Sequence, residues 1–157
     1  MPIATIQERA PVLLAIALAF AAYACGAHAD ERHDAAYGRP GDPTKVSRTV
    51  AIDMSDSMRF TPALITAKKG ETIRFALSNS GKVRHEMVLG SSRELKEHAT
   101  LMRKFPEMEH TDPNRLSVDP GKTGALVWQF TRAGTFDFAC LQPGHFEAGM
   151  RGKITVR

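Results

Sequence analysis

From residue 48 onward, apolar and polar side chains alternate in short runs, the period of half-buried strands. Val50, Ile52 and Met54 alternate with Ala51 and Asp53. Residues 64–66 give a second short strand, and Lys69-Gly70-Glu71 a turn. Residues 72–77 (TIRFAL) carry β-branched and aromatic side chains at strand spacing and close at Asn79-Ser80-Gly81. Residues 83–89 form another extended run. The period then lengthens: over residues 91–105, Leu95, Ala99, Met102 and Phe105 share one helical face. Ser91 and Glu94 have the spacing of a capping box, and Arg103 and Lys104 fill the last turn before Pro106. Strand character returns at Leu116 and Val118, over residues 124–130 (GALVWQF), over 135–140 (TFDFAC) and over 153–156, with turns at Asp119-Pro120-Gly121 and Ala133-Gly134. Seven or eight short strands with one inserted α-helix predict an all-β sandwich.

The N-terminal pattern is different. Arg9 precedes an apolar run over residues 12–24 (VLLAIALAFAAYA), and Ala27-His28-Ala29 follows with the small-x-small spacing of a cleavage site. A membrane span needs about 20 apolar residues, so the run is too short for an anchor helix. Residues 1–29 read as a signal peptide, removed on export to the periplasm. Acylation at Cys25 is the weaker alternative, because Ala22-Tyr23-Ala24 lacks the Leu that usually opens a lipobox. Residues 30–47 are polar, with Gly38, Pro40, Gly41 and Pro43, and read as a flexible leader before a domain over 48–157. The 157 residues hold one ordinary core and not two.

Charge narrows the function classes. The formal net charge is +4 with no block of like charge, which argues against nucleic acid as a partner. Of two cysteines, Cys25 leaves with the signal peptide, so the exported chain keeps Cys140 alone. An unpaired thiol in an oxidising compartment is a liability, and metal ligation is a good reason to retain one.

The chemistry concentrates in Cys140-Leu141-Gln142-Pro143-Gly144-His145-Phe146-Glu147-Ala148-Gly149-Met150. A thiol, an imidazole and a thioether sit at Cys-x4-His-x4-Met spacing on one loop between two strands. Phe136, Phe138 and Cys140 share a strand face, and Pro143-Gly144 lets His145 fold back. Two His, one Cys and a weak axial Met are the donors of a blue-copper site. The second His lies elsewhere: His85 is the best placed, at the start of a strand, while His98 on the helix and His110 in a polar loop compete. A lone buried Cys or Met is more often plain core. The joint spacing favours ligation.

These residues resemble the cupredoxins over roughly 50–156. His145-x-x-Ala148-Gly149-Met150 is similar to the plastocyanin-type loop. The four residues between Cys140 and His145, with Pro143-Gly144, are closer to azurin, as is the helix between His85 and Cys140. The resemblance implies a Greek-key β-sandwich and a mononuclear type 1 copper centre. It implies His85, Cys140 and His145 as close ligands and Met150 as the long axial one. It further implies one copper per chain cycling between Cu(II) and Cu(I), single-electron transfer in the periplasm, and copper tolerance for a subset. One position departs from the pattern: many members carry Asn directly after the first His, and here it is Glu86.

The leading expectation is therefore a monomeric periplasmic electron-transfer or copper-tolerance protein. Its partner would be a redox protein such as a cytochrome or a copper oxidase or reductase. The alternative is a copper buffer or carrier, in which Met58, Met108, His98 and His110 could add a Cu(I) site. Surface scatter and core filling explain those residues more simply. Cysteine hydrolases usually take their His from a distant segment, whereas here it sits five residues after Cys140, with a thioether five further that nucleophilic catalysis does not require. Zinc is a poor match for Met, and multicopper chemistry needs His-x-His pairs that the chain lacks. The expectation is a protein that is not an enzyme.

Overall fold

The alternating runs sort into two five-stranded sheets in the computed structural model, which describes residues 35–108 and 111–157. The signal peptide, Cys25 and His110 lie outside the described residues. In chain order the elements are β1 (Arg39–Pro40), β2 (Arg48–Ser55), β3 (Arg59–Thr61), β4 (Leu64–Ala67), β5 (Thr72–Asn79), β6 (His85–Gly90), α1 (Ser92–Lys104), β7 (Arg115–Val118), β8 (Thr123–Gln129), β9 (Gly134–Ala139) and β10 (Arg151–Val156). One sheet runs β1-β8-β5-β2-β3 and the other β4-β10-β9-β6-β7. Strands β2 and β5 pair in parallel, as do β4 and β10, and the other pairs are antiparallel.

The core follows from the period of two. Ile52 and Met54 of β2, Phe75 and Leu77 of β5, and Leu126 and Trp128 of β8 meet Met87 and Leu89 of β6, Phe138 of β9 and Ile154 of β10. Phe60 of β3 crosses edge-on to Phe138, with ring centroids 4.9 Å apart. The intervening residues of β6 and β9 face the other way, and α1 covers them. Leu95, Ala99 and Met102 pack on Val88, Ala139 and Leu141. That second layer explains why β6 is buried at every position. The expected capping box forms: Ser91 Oγ accepts the Glu94 N–H and Glu94 Oε2 accepts the Ser91 N–H. Phe105 departs from the expected helical face. It is the C-cap residue and 53% exposed, because the chain leaves helical geometry there before Pro106.

The flexible leader expected over 30–47 is, in its described part, attached to the first sheet. Tyr37 is buried and stacks on Trp128 with centroids 5.6 Å apart, and Trp128 Nε1 donates to the Tyr37 carbonyl. Strand β1 then pairs with β8, and the Gly41 N–H donates to the Val127 carbonyl. A single aromatic anchor outweighs the turn-forming composition around it, since an aromatic ring buries as much apolar area as several small residues.

Candidate metal centre

The first residue of β6 is His85, on the inward face with Met87 and Leu89, and it is fully buried. Cys140 follows the last residue of β9, in register with the inward-facing Phe138, and is also fully buried. The loop from Cys140 to Met150 is wound by its own backbone. The His145 N–H donates to the Gln142 carbonyl, the Ala148 N–H to Gly144, and the Gly149 N–H to Phe146. Gly149 sits at φ +93°, a conformation that favours glycine, and a Cβ there would lie 3.2 Å from the Arg59 guanidinium. Arg59 Nη1 in turn donates to the Ala148 carbonyl, bracing the loop from β3. Met150 closes the loop: its carbonyl accepts the Cys140 N–H at 3.1 Å, and its N–H donates to the His145 carbonyl at 3.0 Å.

These elements bring His85, Cys140 and His145 together, with one donor atom of each within 4.8 Å of the others. Cys140 Sγ lies 3.3 Å from His145 Nδ1, and the imidazoles of His85 and His145 are tilted by 51° with centroids 4.9 Å apart. His85 Nε2 is 3.1 Å from Asp56 Oδ1, whereas His85 Nδ1 is buried with no hydrogen-bond partner. A buried imidazole nitrogen without a partner is costly unless something binds its lone pair. Met150 is fully buried in the same core cluster as Cys140. A soft thiolate, two imidazoles and a nearby thioether fit copper.

Burial pushes the Cys140 thiol from its ordinary 9.0 up to about 12, against the pull of the Glu86 and Gln142 backbone N–H groups. Burial also lowers the His145 pKa, and the neighbouring His85 adds to that, so His145 presents a neutral ring. The Lys82 backbone N–H, followed by contacts from His85 and Val83, holds the Asp56 carboxyl below its usual range against a desolvation that opposes them.

Glu86, directly after His85, is fully buried on the opposite face of β6. Its Oε1 accepts the Leu141 N–H at 3.1 Å. Its Oε2 accepts Arg115 Nη2 at 2.5 Å and Ser117 Oγ at 3.1 Å, both from the paired strand β7. The carboxylate thus joins the His85 segment to the Cys140 segment, and Arg115 neutralises it.

The competing histidine His98 lies on α1, and among the described residues it is not part of the His/Cys/carboxylate grouping. Met54 and Met102 are buried in the two cores, as their faces predict. Met58, at φ +57°, leans on the inter-sheet core. Met108 lines a polar cavity of about 270 Å³ with Arg84, Arg115 and Gln142. Sequence reading misses Asp56, Arg59 and Arg115. Each acts across strands, at 29, 89 and 29 residues from its partner, and no local spacing marks it.

The family described as copper binding proteins, plastocyanin/azurin family, matches residues 46–157. The copper-resistant cuproprotein CopI of Rubrivivax gelatinosus is 52% identical over 94% of this chain and 96% of its own length. CopI of Pseudomonas aeruginosa is 34% identical over 86% of this chain and 90% of its own. Among solved structures, dithionite-reduced auracyanin of Roseiflexus castenholzii superposes with a TM-score of 0.62 at 20% identity, covering 71% of this chain and 98% of that one.

Proposed function

The chain belongs to the plastocyanin/azurin family of copper-binding proteins, the cupredoxins, and from that premise we propose that it is an exported, periplasmic type 1 copper protein that transfers single electrons and contributes to copper tolerance. The observation that carries this reading is the convergence of His85, Cys140 and His145, with one buried imidazole nitrogen left without a partner. In this reading Cys140 supplies the thiolate, His85 and His145 supply neutral imidazole nitrogens, and Met150 supplies the long axial thioether. Copper bound there supplies a one-electron Cu(II)/Cu(I) couple.

The residues do the rest by staying still. His85 is fixed on a buried strand, and Cys140 and Met150 are tied to each other through the backbone. A cage held by two packed sheets cannot reshape itself to suit one oxidation state, which keeps reorganisation small. His145 is half-buried on the loop beside the exposed Gly144, and forms the edge through which electrons enter and leave. The chain acts as a monomer, exchanging electrons with a partner such as a cytochrome or a copper oxidase. The copper-resistance name of its relatives supports the tolerance role.

The test is complementation of a deletion strain under copper stress, with fractionation of the cells. Wild-type protein should be recovered from the periplasm as a chain beginning at Asp30, and should restore growth. Cys140→Ser should not restore it. Equal rescue by both, or retention of residues 1–29, would contradict the proposal. A purified copper-loaded protein that exchanges no electrons with a cytochrome would reduce it to a copper buffer.

A further inference from the structure

We propose that Asp56 is the positioning residue of the metal centre: its carboxylate holds the Nε2–H of His85 and thereby presents the Nδ1 lone pair to the metal. This rests on the reading of His85 as a copper ligand.

The two nitrogens of His85 have opposite surroundings. Nε2 lies 3.1 Å from Asp56 Oδ1, and Nδ1 is buried without a hydrogen-bond partner. An ionised carboxylate only accepts hydrogen bonds, so Nε2 carries the hydrogen in a neutral ring and Nδ1 carries the lone pair. The same ring is fully buried, with its centroid 4.9 Å from that of His145, whose Nδ1 lies 3.3 Å from Cys140 Sγ. The nitrogen left bare by Asp56 is therefore the one available to a metal. With the opposite tautomer, two acceptors would face each other at 3.1 Å and a donor would be buried without a partner.

Asp56 is itself held in place. It lies between β2 and β3, in the other sheet from His85. Its Oδ2 accepts the Lys82 N–H at 2.8 Å and its Oδ1 the Val83 N–H at 3.4 Å, so it grips the segment that leads into His85. The chain makes room for this contact at Gly81, where a Cβ would lie 2.1 Å from Asp56 Oδ1. The acceptor is thus fixed relative to both the ring and the approach to the ring, and the Asp56 side chain is 40% exposed, so no buried charge is created. A carboxylate on the far nitrogen makes the imidazole a stronger donor, which favours the more highly charged Cu(II) over Cu(I).

The experiment has two arms on the exported protein. In the first, ¹⁵N shifts of His85 are recorded for copper-free wild type, Asp56→Ala and Asp56→Asn. Wild type should show hydrogen on Nε2 and a bare Nδ1. Asp56→Ala should lose that tautomer preference, and Asp56→Asn, which keeps an acceptor oxygen, should restore it. In the second arm, Cu(II) and Cu(I) affinities are measured against competing chelators. Asp56→Ala should lose about 10- to 100-fold in Cu(II) affinity and less in Cu(I) affinity. Each tenfold difference between the two raises the potential by about 59 mV. Asp56→Asn should fall between wild type and Asp56→Ala. Unchanged tautomer and affinities in Asp56→Ala, while His85→Ala destroys the copper site, would overturn the role of Asp56 alone. A His85→Ala protein with an intact copper site would overturn the ligand reading, and the proposal with it.

Discussion

Glu86 Oε1 accepts the backbone N–H of Leu141 at 3.1 Å, joining the residue after one histidine of the centre to the residue after its cysteine. The bond is made by a fully buried carboxylate whose other oxygen is held by Arg115, itself 9% exposed. The segments that carry His85 and Cys140 are therefore clamped by an ion pair on the side away from the inter-sheet core. Breaking one member of such a pair strands the other charge, and that costs about 3–5 kcal/mol. Glu86→Ala should destabilise the copper-free protein by about that amount. The double substitution Glu86→Leu with Arg115→Met should recover most of the loss. Urea unfolding of the copper-free proteins checks this, and a single-variant cost below about 1 kcal/mol would contradict it.

Copper loading should release protons in a defined number. Burial holds the Cys140 thiol protonated, with its pKa at about 12, and the thiolate is the form that binds metal. The His145 pKa is lowered by burial, so His145 gives up no proton near neutral pH. At pH 7.5, loading should therefore release one proton from Cys140, and apparent affinity should rise about tenfold per pH unit from this group. For the empty protein the sign is opposite. The unfolded thiol ionises near 9.0 while the folded one keeps its proton, so stability is full below pH 9.0 and falls as the pH rises towards 12. Proton release in weak buffer measures the first effect, and the alkaline melting curve of copper-free protein the second.

Met150 should tune the centre more than hold it. Its backbone bonds to Cys140 and His145 survive any side-chain change, so the loop should keep its shape in Met150→Leu. The Met–copper bond of such sites is long and weak. The variant should retain copper and its visible colour while its reduction potential rises, because a donor that favours Cu(II) is lost. Voltammetry of wild type and variant decides the matter, and loss of copper from the variant would contradict a weak axial role.

Much of this is legible in the sequence. Strand alternation carries the direction of Phe138 and Cys140 directly, and the capping pair Ser91 and Glu94 marks the helix start, because both are local rules. Cys140, His145 and Met150 stand out for the same reason: they share one loop. Contacts across strands were not legible. The Glu86–Arg115 pair, the Asp56–His85 bond and the brace from Arg59 to Ala148 depend on which strands become neighbours, and residue spacing carries no trace of that. The burial of Tyr37 was hidden too. One aromatic in a run of Gly and Pro reads as a loop until Trp128 is found beneath it. At Phe105 the helical period runs on for one residue after the helix has ended.

The most direct test is the visible absorption spectrum of the copper-loaded protein beside that of Cys140→Ser. In the assembled set only a thiolate gives a strong charge-transfer band to copper, and Cys140 is the free, buried cysteine at the centre. The wild type should bind one copper per chain and show that band. Cys140→Ser should lose it, and His98→Ala should leave it intact. A wild-type protein that binds copper without the band, or a band that survives in Cys140→Ser, would contradict the assignment of a thiolate-ligated copper centre.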